Sequence, residues 1–349
     1  MTKILCSASD AGGANAIVPA VKKMLAEKVD LLCLIDNQAR AVFCEAGIDF
    51  VDAQTILPAD LYRLIEKFEP GLFLAGTSLG KTLDKDILLW IKERGLLSVY
   101  VLDFWSNYWQ RFSNEKKDFE YLPDYVCVMD NIAKEDMIGQ GFPSEKIIVT
   151  GNPHFDHFTD GIRLNRERTN QVLFVSQPLR ELVERATIEK YGYDEYQVLA
   201  DLLLALSAAP TKFQMVIRLH PREDRHKFDF LLDQAGSRAR LDDCADVKES
   251  LSTADMIVGM NSMVLFQAAA AGKPVISYQP GLRRDDPLIS NRLGLSELFT
   301  DIDAMNKRFK EYFYGASFPE SAAVKKNNII KQATQNVIRF LVTLAEPKK

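Results

Sequence analysis

The stretch 254-ADMIVGMNSMVLFQAAAAGKPVISYQ-279 decides the architecture. Its first part, 254–260, is an apolar run of strand length. Asn261 and Ser262 follow, residue types that cap helices, and lead into a small, apolar helical segment over 262–271. Gly272 ends that segment, and 274–279 is a second apolar run. Two strands that are apolar on both faces and joined by a helix belong to a parallel sheet covered on both sides. Working outward, QVLFVSQ (171–177) and FQMVIRL (213–219) continue the alternation, with helices predicted near 194–208 and 222–235. The first half repeats it, with strands at 3–8, 31–35, 71–76, 96–102 and 125–129 and helices at 15–28, 81–94 and 131–139.

Between the halves, 147-IIVTGNPHFDHFTDGIRLNRERTN-170 starts as a strand, breaks at Gly151-Asn152-Pro153 and turns polar, the composition of an interdomain linker with a hinge over 150–165. Near the end, Val324, Ile329, Ile330, Ala333, Val337, Ile338, Leu341 and Leu344 recur at helical spacing. A long amphipathic helix packing back onto the body is expected there. A chain of 349 residues suits two domains. They are placed at 1–155, joined by the C-terminal helix 320–349, and at 165–319.

Hydrophobic residues are 47% of the chain and charged residues 26%, the balance of a globular protein with packed cores. A net charge of -5 gives no reason to expect nucleic acid held by bulk electrostatics. The opening MTKILCSASD reads as a first strand and not a signal peptide, because its apolar run is short and ends at Asp10. No apolar stretch approaches the roughly 20 residues of a membrane span. Cys6, Cys33, Cys44, Cys127 and Cys244 lack CxxC spacing, as expected of reduced, buried thiols in a cytoplasmic protein.

Ligands of an open parallel sheet bind beyond the carboxyl ends of its strands, so the residues just after each apolar run are the candidates. After the first strand come Asp10, Gly12 and Gly13. Asp10 reads either as a general base toward an acceptor hydroxyl or as a helix N-cap. The glycines read as a loop passing close to a ligand, ahead of a helix N-terminus suited to an anion, or as a plain turn. After 96–102, 103-DFWSNYWQRF-112 mixes aromatic rings with Asp103, Asn107 and Arg111. That suits a sugar ring and an anionic group; the alternative is an aromatic plug with Asp103 and Arg111 as its ion pair. In the second half Arg218 lies inside an apolar strand, where a charge needs a partner. His220 and Arg222 flank Pro221, which can start a helix, so the cluster suits a departing phosphate. Gly259, Asn261, Ser262 and Met263 end the next strand and begin a helix that is either a phosphate cradle or an ordinary capped core helix.

The chain lacks GxGxxG, GxxxxGK[ST], GxSxG and HExxH. Asp84-Lys85-Asp86 and Asp301-Ile302-Asp303 have DxD spacing but fall at helix starts, where acids favour the dipole. His154-Phe155-Asp156-His157 lies in the linker without further ligands. Neither a metal nor a resident cofactor is expected.

In order and spacing, the two strand–helix halves, the TGNP junction, the RLHP strand end, the 254–278 segment and the last helix resemble the GT-B superfamily. Its members include nucleotide-sugar glycosyltransferases and hydrolysing UDP-N-acetylglucosamine 2-epimerases. The fold class implied is α/β, with two Rossmann-like domains whose parallel sheets face a cleft. Segment 148-IVTGNPHFD-156 is similar to the epimerases' domain junction. The His220-Pro221 pair and the Asn261-Ser262-Met263 segment look like the HP and serine-rich motifs of bacterial sialyltransferases, Kdo transferases and CDP-glycerol phosphotransferases. Carried over, His220 contacts the leaving phosphate, Asn261, Ser262 and Met263 bind it, and Gln267 stands where many transferases grip the ribose with Glu. Asp10-Ala11-Gly12-Gly13 stands in place of the epimerases' Arg-Pro-Glu loop and resembles the acid-plus-glycine base motif of some sialyltransferases.

The resulting expectation is an inverting, metal-independent glycosyltransferase of bacterial glycan or polysaccharide biosynthesis, using a nucleotide-sugar as co-substrate. Its acceptor, a glycan, lipid-linked sugar or small molecule, is expected against Gly12, Gly13, Asp103, Asn107 and Arg111, with Asp10 as base. The nucleotide is expected against Arg218, His220, Arg222, Gly259, Asn261, Ser262, Met263 and Gln267. Peripheral membrane contact is compatible with the sequence but not demanded by it. Two alternatives remain: a nucleotide-sugar epimerase or hydrolase with Asp10 or Asp103 as base, and a non-catalytic nucleotide- or glycan-binding protein.

Overall fold

A computed structural model describes residues 3–164, 167–182, 191–315 and 330–345. The chain divides into two compact units, Met1–Phe158 with Ile329–Lys349, and Thr159–Asn328.

The first unit holds a seven-stranded sheet built from β1 (Ile4–Ala8), β2 (Leu31–Ile35), β3 (Val51–Asp52), β4 (Leu72–Gly76), β5 (Leu97–Val101), β6 (Tyr125–Val128) and β7 (Ile147–Val149). Their spatial order is β3-β2-β1-β4-β5-β6-β7, and every pairing is parallel. The second unit has six parallel strands, β8 (Gln171–Val175), β9 (Gln214–Arg218), β10 (Ala239–Leu241), β11 (Met256–Gly259), β12 (Val275–Tyr278) and β13 (Glu297–Phe299), ordered β10-β9-β8-β11-β12-β13. The central strands β1, β4, β8 and β11 are buried along nearly their whole length, as strands covered by helices on both faces must be.

Three strands, β3, β10 and β13, were not expected from the sequence. Each is a two- or three-residue edge strand or close to it, too short to show a period. The first helix runs over Ala11–Ala26, so Gly12 and Gly13 lie in its opening turn and not in a loop. The helix expected over 222–235 begins only at Asp229.

The closing helix is Ala333–Ala345; residues 320–329 of the expected stripe lie outside the described residues. It buries Ala333, Val337, Ile338 and Leu341 against Ile17, Val21 and Met24 of the first helix's core. The TGNPHFD segment seats it. Asp156 accepts the N–H groups of Ala333 and Thr334, each at 2.8 Å, satisfying donors that a helix start leaves unpaired. Gly151, at φ +84, has no room for a side chain, since a methyl there would lie 2.6 Å from Ala333 Cβ. The supposed linker is therefore anchored in the first unit as far as Asp156. From Gly161 it is bonded to the second unit, where Arg163 N–H donates to Ser252 Oγ at 2.9 Å. Thr150–Asp156 is a seat for the last helix and not hinge chain.

Candidate functional site

In the second sheet the chain fills one side of β8 with β9 and β10, then the other with β11, β12 and β13. The loops after β8 and β11 therefore diverge, and such a divergence is where open parallel sheets receive ligands. Gln177, just past β8, spans it. Its Nε2 donates to Asn261 Oδ1 at 2.7 Å, and its Oε1 accepts the Asn261 N–H at 2.9 Å. Asn261 Nδ2 donates in turn to the Tyr193 hydroxyl at 3.2 Å. Ser262 caps the helix Met263–Ala270, its Oγ accepting the Val264 N–H at 3.2 Å. Met263 is half-buried there, while Gln267 is buried on the helix's inner side. Gly259 ends β11, where a methyl would meet the Val175 carbonyl at 2.9 Å.

On the other side of β8, Arg218 is fully engaged. Nη1 donates to Asp242 Oδ2 at 2.7 Å, Cys244 O at 3.0 Å and Ser250 Oγ at 2.9 Å, and Nη2 donates to Ala245 O at 3.2 Å. Burial would raise the Asp242 pKa, but hydrogen bonds from Ser250, Arg218 and the Cys244 N–H outweigh it and hold the carboxyl below its ordinary value. The charge inside the strand has its partner in the loop after β10, so Arg218 anchors that loop to β9.

The residues 220–224 form a turn closed by Glu223. This buried carboxylate accepts the His220 N–H at 2.6 Å, Ser176 Oγ–H at 2.7 Å and Lys227 Nζ at 2.7 Å. Lys227 also meets Glu195 and Glu181 at 2.8 and 2.9 Å. Burial would lower its pKa, but the hydrogen bonds that its ammonium donates to the three carboxylates outweigh it and push it up. Glu181, Glu195 and Glu223 have metal-like spacing, but among the described residues their shared space contains the Lys227 ammonium. Because this network ends the strand in a turn, Arg222 lies in that turn rather than at a helix start, and no helix dipole acts on its charge. His220 Nδ1 accepts the Arg222 N–H at 3.2 Å, so the neutral ring carries its proton on Nε2. Nε2 and the exposed Arg222 guanidinium have no partner among the described residues.

The first sheet reverses its order between β1 and β4. Asp10 stands at the N-cap position but makes no side-chain cap bond. Its Oδ2 instead accepts the Leu79 N–H, 2.9 Å away in the loop after β4, tying the two diverging loops together and leaving Oδ1 without a partner among the described residues. The space beside Gly12 and Gly13 is filled by protein. A methyl on Gly12 would lie 2.3 Å from Asp103 Oδ2, and one on Gly13 would lie 2.4 Å from Thr77 O. The glycines let the first helix press against β4 and the Asp103 carboxylate.

Asp103 Oδ1 accepts Thr77 Oγ1–H at 2.6 Å and pairs with Arg111 Nη1 at 2.7 Å, both side chains largely buried. Trp105, Tyr108 and Phe112 are buried too, and Trp105 stacks on Phe155 with centroids 5.5 Å apart. This is the plug arrangement, with Asp103 and Arg111 as its ion pair. Of the group at 103–112, Asn107 alone among the predicted site residues is exposed, held in a left-handed conformation at φ 53.

Under the loop after β4, Asp84 is fully buried, with both oxygens bonded by Ser78 Oγ at 2.8 and 2.9 Å. Burial raises its pKa to about 6, against the hydrogen bonds from Ser78, Thr82 and Ser9 and the Lys85 charge. The folded state therefore holds this proton at pH values where the unfolded chain, at 3.8, has lost it, and stability falls as pH rises through that window. The difference is about 3 kcal/mol. Asp84→Asn is expected to gain stability relative to the wild type between pH 4.5 and 7.5 in urea unfolding. A pH-independent difference between the two would contradict the burial effect. Asp86 is exposed on the same helix, so the two carboxylates of this DxD do not converge. Asp301 caps its helix by accepting the Ala304 N–H at 2.9 Å.

No family model matches the chain, and no curated protein does. Solved structures do. The UDP-GlcNAc 2-epimerase of Neisseria meningitidis bound to UDP-GlcNAc is 16% identical over 98% of this chain and 100% of its own, with a TM-score of 0.69. A glycotransferase of kitacinnamycin is 14% identical over 99% and 100%, with a TM-score of 0.64. MurG of Acinetobacter baumannii is 11% identical over 98% and 99%, with a TM-score of 0.61. The chain has the GT-B fold. Two parallel, helix-covered sheets are the Rossmann-like domains of that fold. Among the described residues no helix is long and apolar enough to cross a membrane.

Within this GT-B chain, strand-end reasoning from the sequence passed over Ser176, Gln177, Tyr193 and Glu223. Ser176 and Gln177 had been counted as the end of the run QVLFVSQ, although two polar residues closing an apolar run are the same signal that marked His220. Tyr193 carries no local signal, since its partners Asn261 and Gln279 lie far away in sequence, whereas Glu223 also bonds near neighbours, His220 and Lys227.

Proposed function

We propose that this protein is an inverting glycosyltransferase that uses a nucleotide-sugar donor without a metal ion or resident cofactor, the nucleotide binding at the carboxyl edge of the second sheet. One observation carries the reading. In a turn fixed by Glu223, His220 Nε2 and the Arg222 guanidinium are left unpartnered among the described residues, at the same sheet edge as the capped helix at Ser262 with β8 between them. The neutral Nε2–H donates to a phosphate oxygen, and Arg222 supplies the positive charge that meets the leaving group as the sugar–phosphate bond breaks. Asn261 and Gln177 form the floor of the site, with Ser262, Met263 and Gly259 shaping the approach to the helix.

Asp10 is the base. With Oδ2 held by Leu79 N–H, Oδ1 takes the acceptor hydroxyl's proton as that oxygen attacks the anomeric carbon. Asp103 is the weaker candidate because its Oδ1 is already bonded to Arg111 and Thr77, which disfavours an epimerase or hydrolase relying on it. The acceptor meets Asp10 and the exposed Asn107. Epimerases among the structural neighbours keep the second reading alive.

One result tests the site, and a second separates the readings. His220→Ala is expected to weaken nucleotide binding roughly ten- to a hundredfold, the worth of a hydrogen bond to a charged group. Unchanged affinity would remove His220 from the site. In product analysis, sugar is expected to leave the nucleotide only when an acceptor is added. Free sugar and nucleotide without acceptor would favour the epimerase or hydrolase.

A further inference from the structure

The loop after β12, 279–286, packs on Tyr191–Tyr193 beside the Asn261 network. Gln279 is fully buried, accepting the Tyr193 O–H at 2.8 Å and donating to Ser277 Oγ at 2.9 Å and Asp286 Oδ1 at 2.7 Å. Gly192, at φ +89, brings its backbone so close to Gly281 that a methyl would lie 2.1 Å from the Gly281 carbonyl. Arg283 N–H donates to Tyr191 O at 3.3 Å. The loop is thus held from both sides. Of its two acids, Asp285 is exposed, while Asp286 is turned into that scaffold, since its Oδ1 also accepts the Leu288 N–H and its Oδ2 accepts Asn291 Nδ2.

Two cations stay outside the scaffold. Arg283 and Arg284 are exposed, and neither guanidinium has an acidic or carbonyl partner among the described residues. Arg284 Cζ lies 4.7 Å from the Tyr191 ring centroid, within cation–π reach. β9 and β12 are separated by β8 and β11, so the strand ends that carry the two loops are three strand spacings, about 14 Å, apart.

We propose that Arg283 and Arg284 form a second oxyanion subsite, which takes a carboxylate or phosphate of the substrate other than the phosphate held at His220. This rests on the nucleotide site proposed above for the other end of the edge, and it makes the substrate doubly anionic. The planar forks of two arginines match an oxyanion in bidentate geometry.

The test uses inorganic and small organic anions, so it does not depend on which nucleotide binds. The full-length protein is labelled with phenylglyoxal in chloride, phosphate or malonate at equal ionic strength, and each arginine is read by peptide mass spectrometry. Phosphate or malonate is expected to slow labelling of Arg283 and Arg284 several-fold while exposed Arg63 labels at an unchanged rate, and this protection should persist in His220→Ala. Whichever anion protects better identifies the group as phosphate or carboxylate. Equal labelling of Arg283 and Arg284 in all three buffers would overturn the proposal. So would protection that disappears in His220→Ala, which would make the two clusters one site. Failure of the nucleotide reading itself appears elsewhere, as nucleotides that bind nowhere.

Discussion

Asp10→Asn is expected to lower kcat by roughly two to four orders of magnitude, the usual worth of a positioned general base, while nucleotide affinity stays within about twofold. The substitution is close to isosteric, and an amide oxygen can still accept the Leu79 N–H that orients the group. What disappears is the basic oxygen on the other side of the carboxyl. Steady-state kinetics with a saturating donor, combined with nucleotide titration of the same variant, separates the two effects. Full activity in Asp10→Asn would end its role as base, and Asp103 could not easily replace it, because removing its charge would leave Arg111 buried without its partner.

Arg218→Ala is expected to destabilise the protein by about 3 kcal/mol, the lower end for breaking a buried ion pair from one side. The Asp242 side chain is only 3% exposed, and the loss leaves it facing Ser250 alone among its charged or hydroxyl side-chain partners. For a unit of this size that corresponds to a fall in melting temperature of roughly 6–12 °C. The sequence suggested a nucleotide ligand at this position, whereas the observed bonds make it a brace. The two roles predict different losses. A brace loses stability first, and the Arg218→Ala/Asp242→Asn pair recovers part of it because no uncompensated carboxylate remains. A ligand-binding arginine would lose nucleotide affinity with its melting temperature unchanged.

Much of the fold was legible because parallel strands buried on both faces write themselves as continuous apolar runs. β1, β2, β4, β5, β6, β8, β9, β11 and β12 all fall within runs marked from the sequence. Edge strands such as β3, with two residues, write nothing comparable. The first-turn glycines misled for a physical reason. Gly12 and Gly13 looked like loop, but the close approach they permit is to Asp103 and Thr77, residues far along the chain. The site was legible by type and position more than by partner. Strand-end reasoning marked His220, Asn261, Ser262 and Asp10, and the structure places each of them just past the end of a strand. It offered the Asp103–Arg111 pair only as the alternative to a ligand site, and it could not tell that Arg218 answers Asp242 or that Glu223 holds Ser176, because those partners lie far away in sequence. The aromatic run at 103–112 shows the same limit, since exposed and buried rings look alike in a sequence.

Thermal unfolding of the wild type and His220→Ala with CMP, CDP, UDP, GDP and dTDP tests the central claim most directly. A ligand present at a hundred times its dissociation constant adds about 2.7 kcal/mol, a shift of several degrees. The account predicts one nucleotide that raises the melting temperature of the wild type clearly above the rest, with the shift reduced or lost in His220→Ala. A flat panel, or a shift that His220→Ala leaves intact, would contradict a nucleotide site at the carboxyl edge of the second sheet.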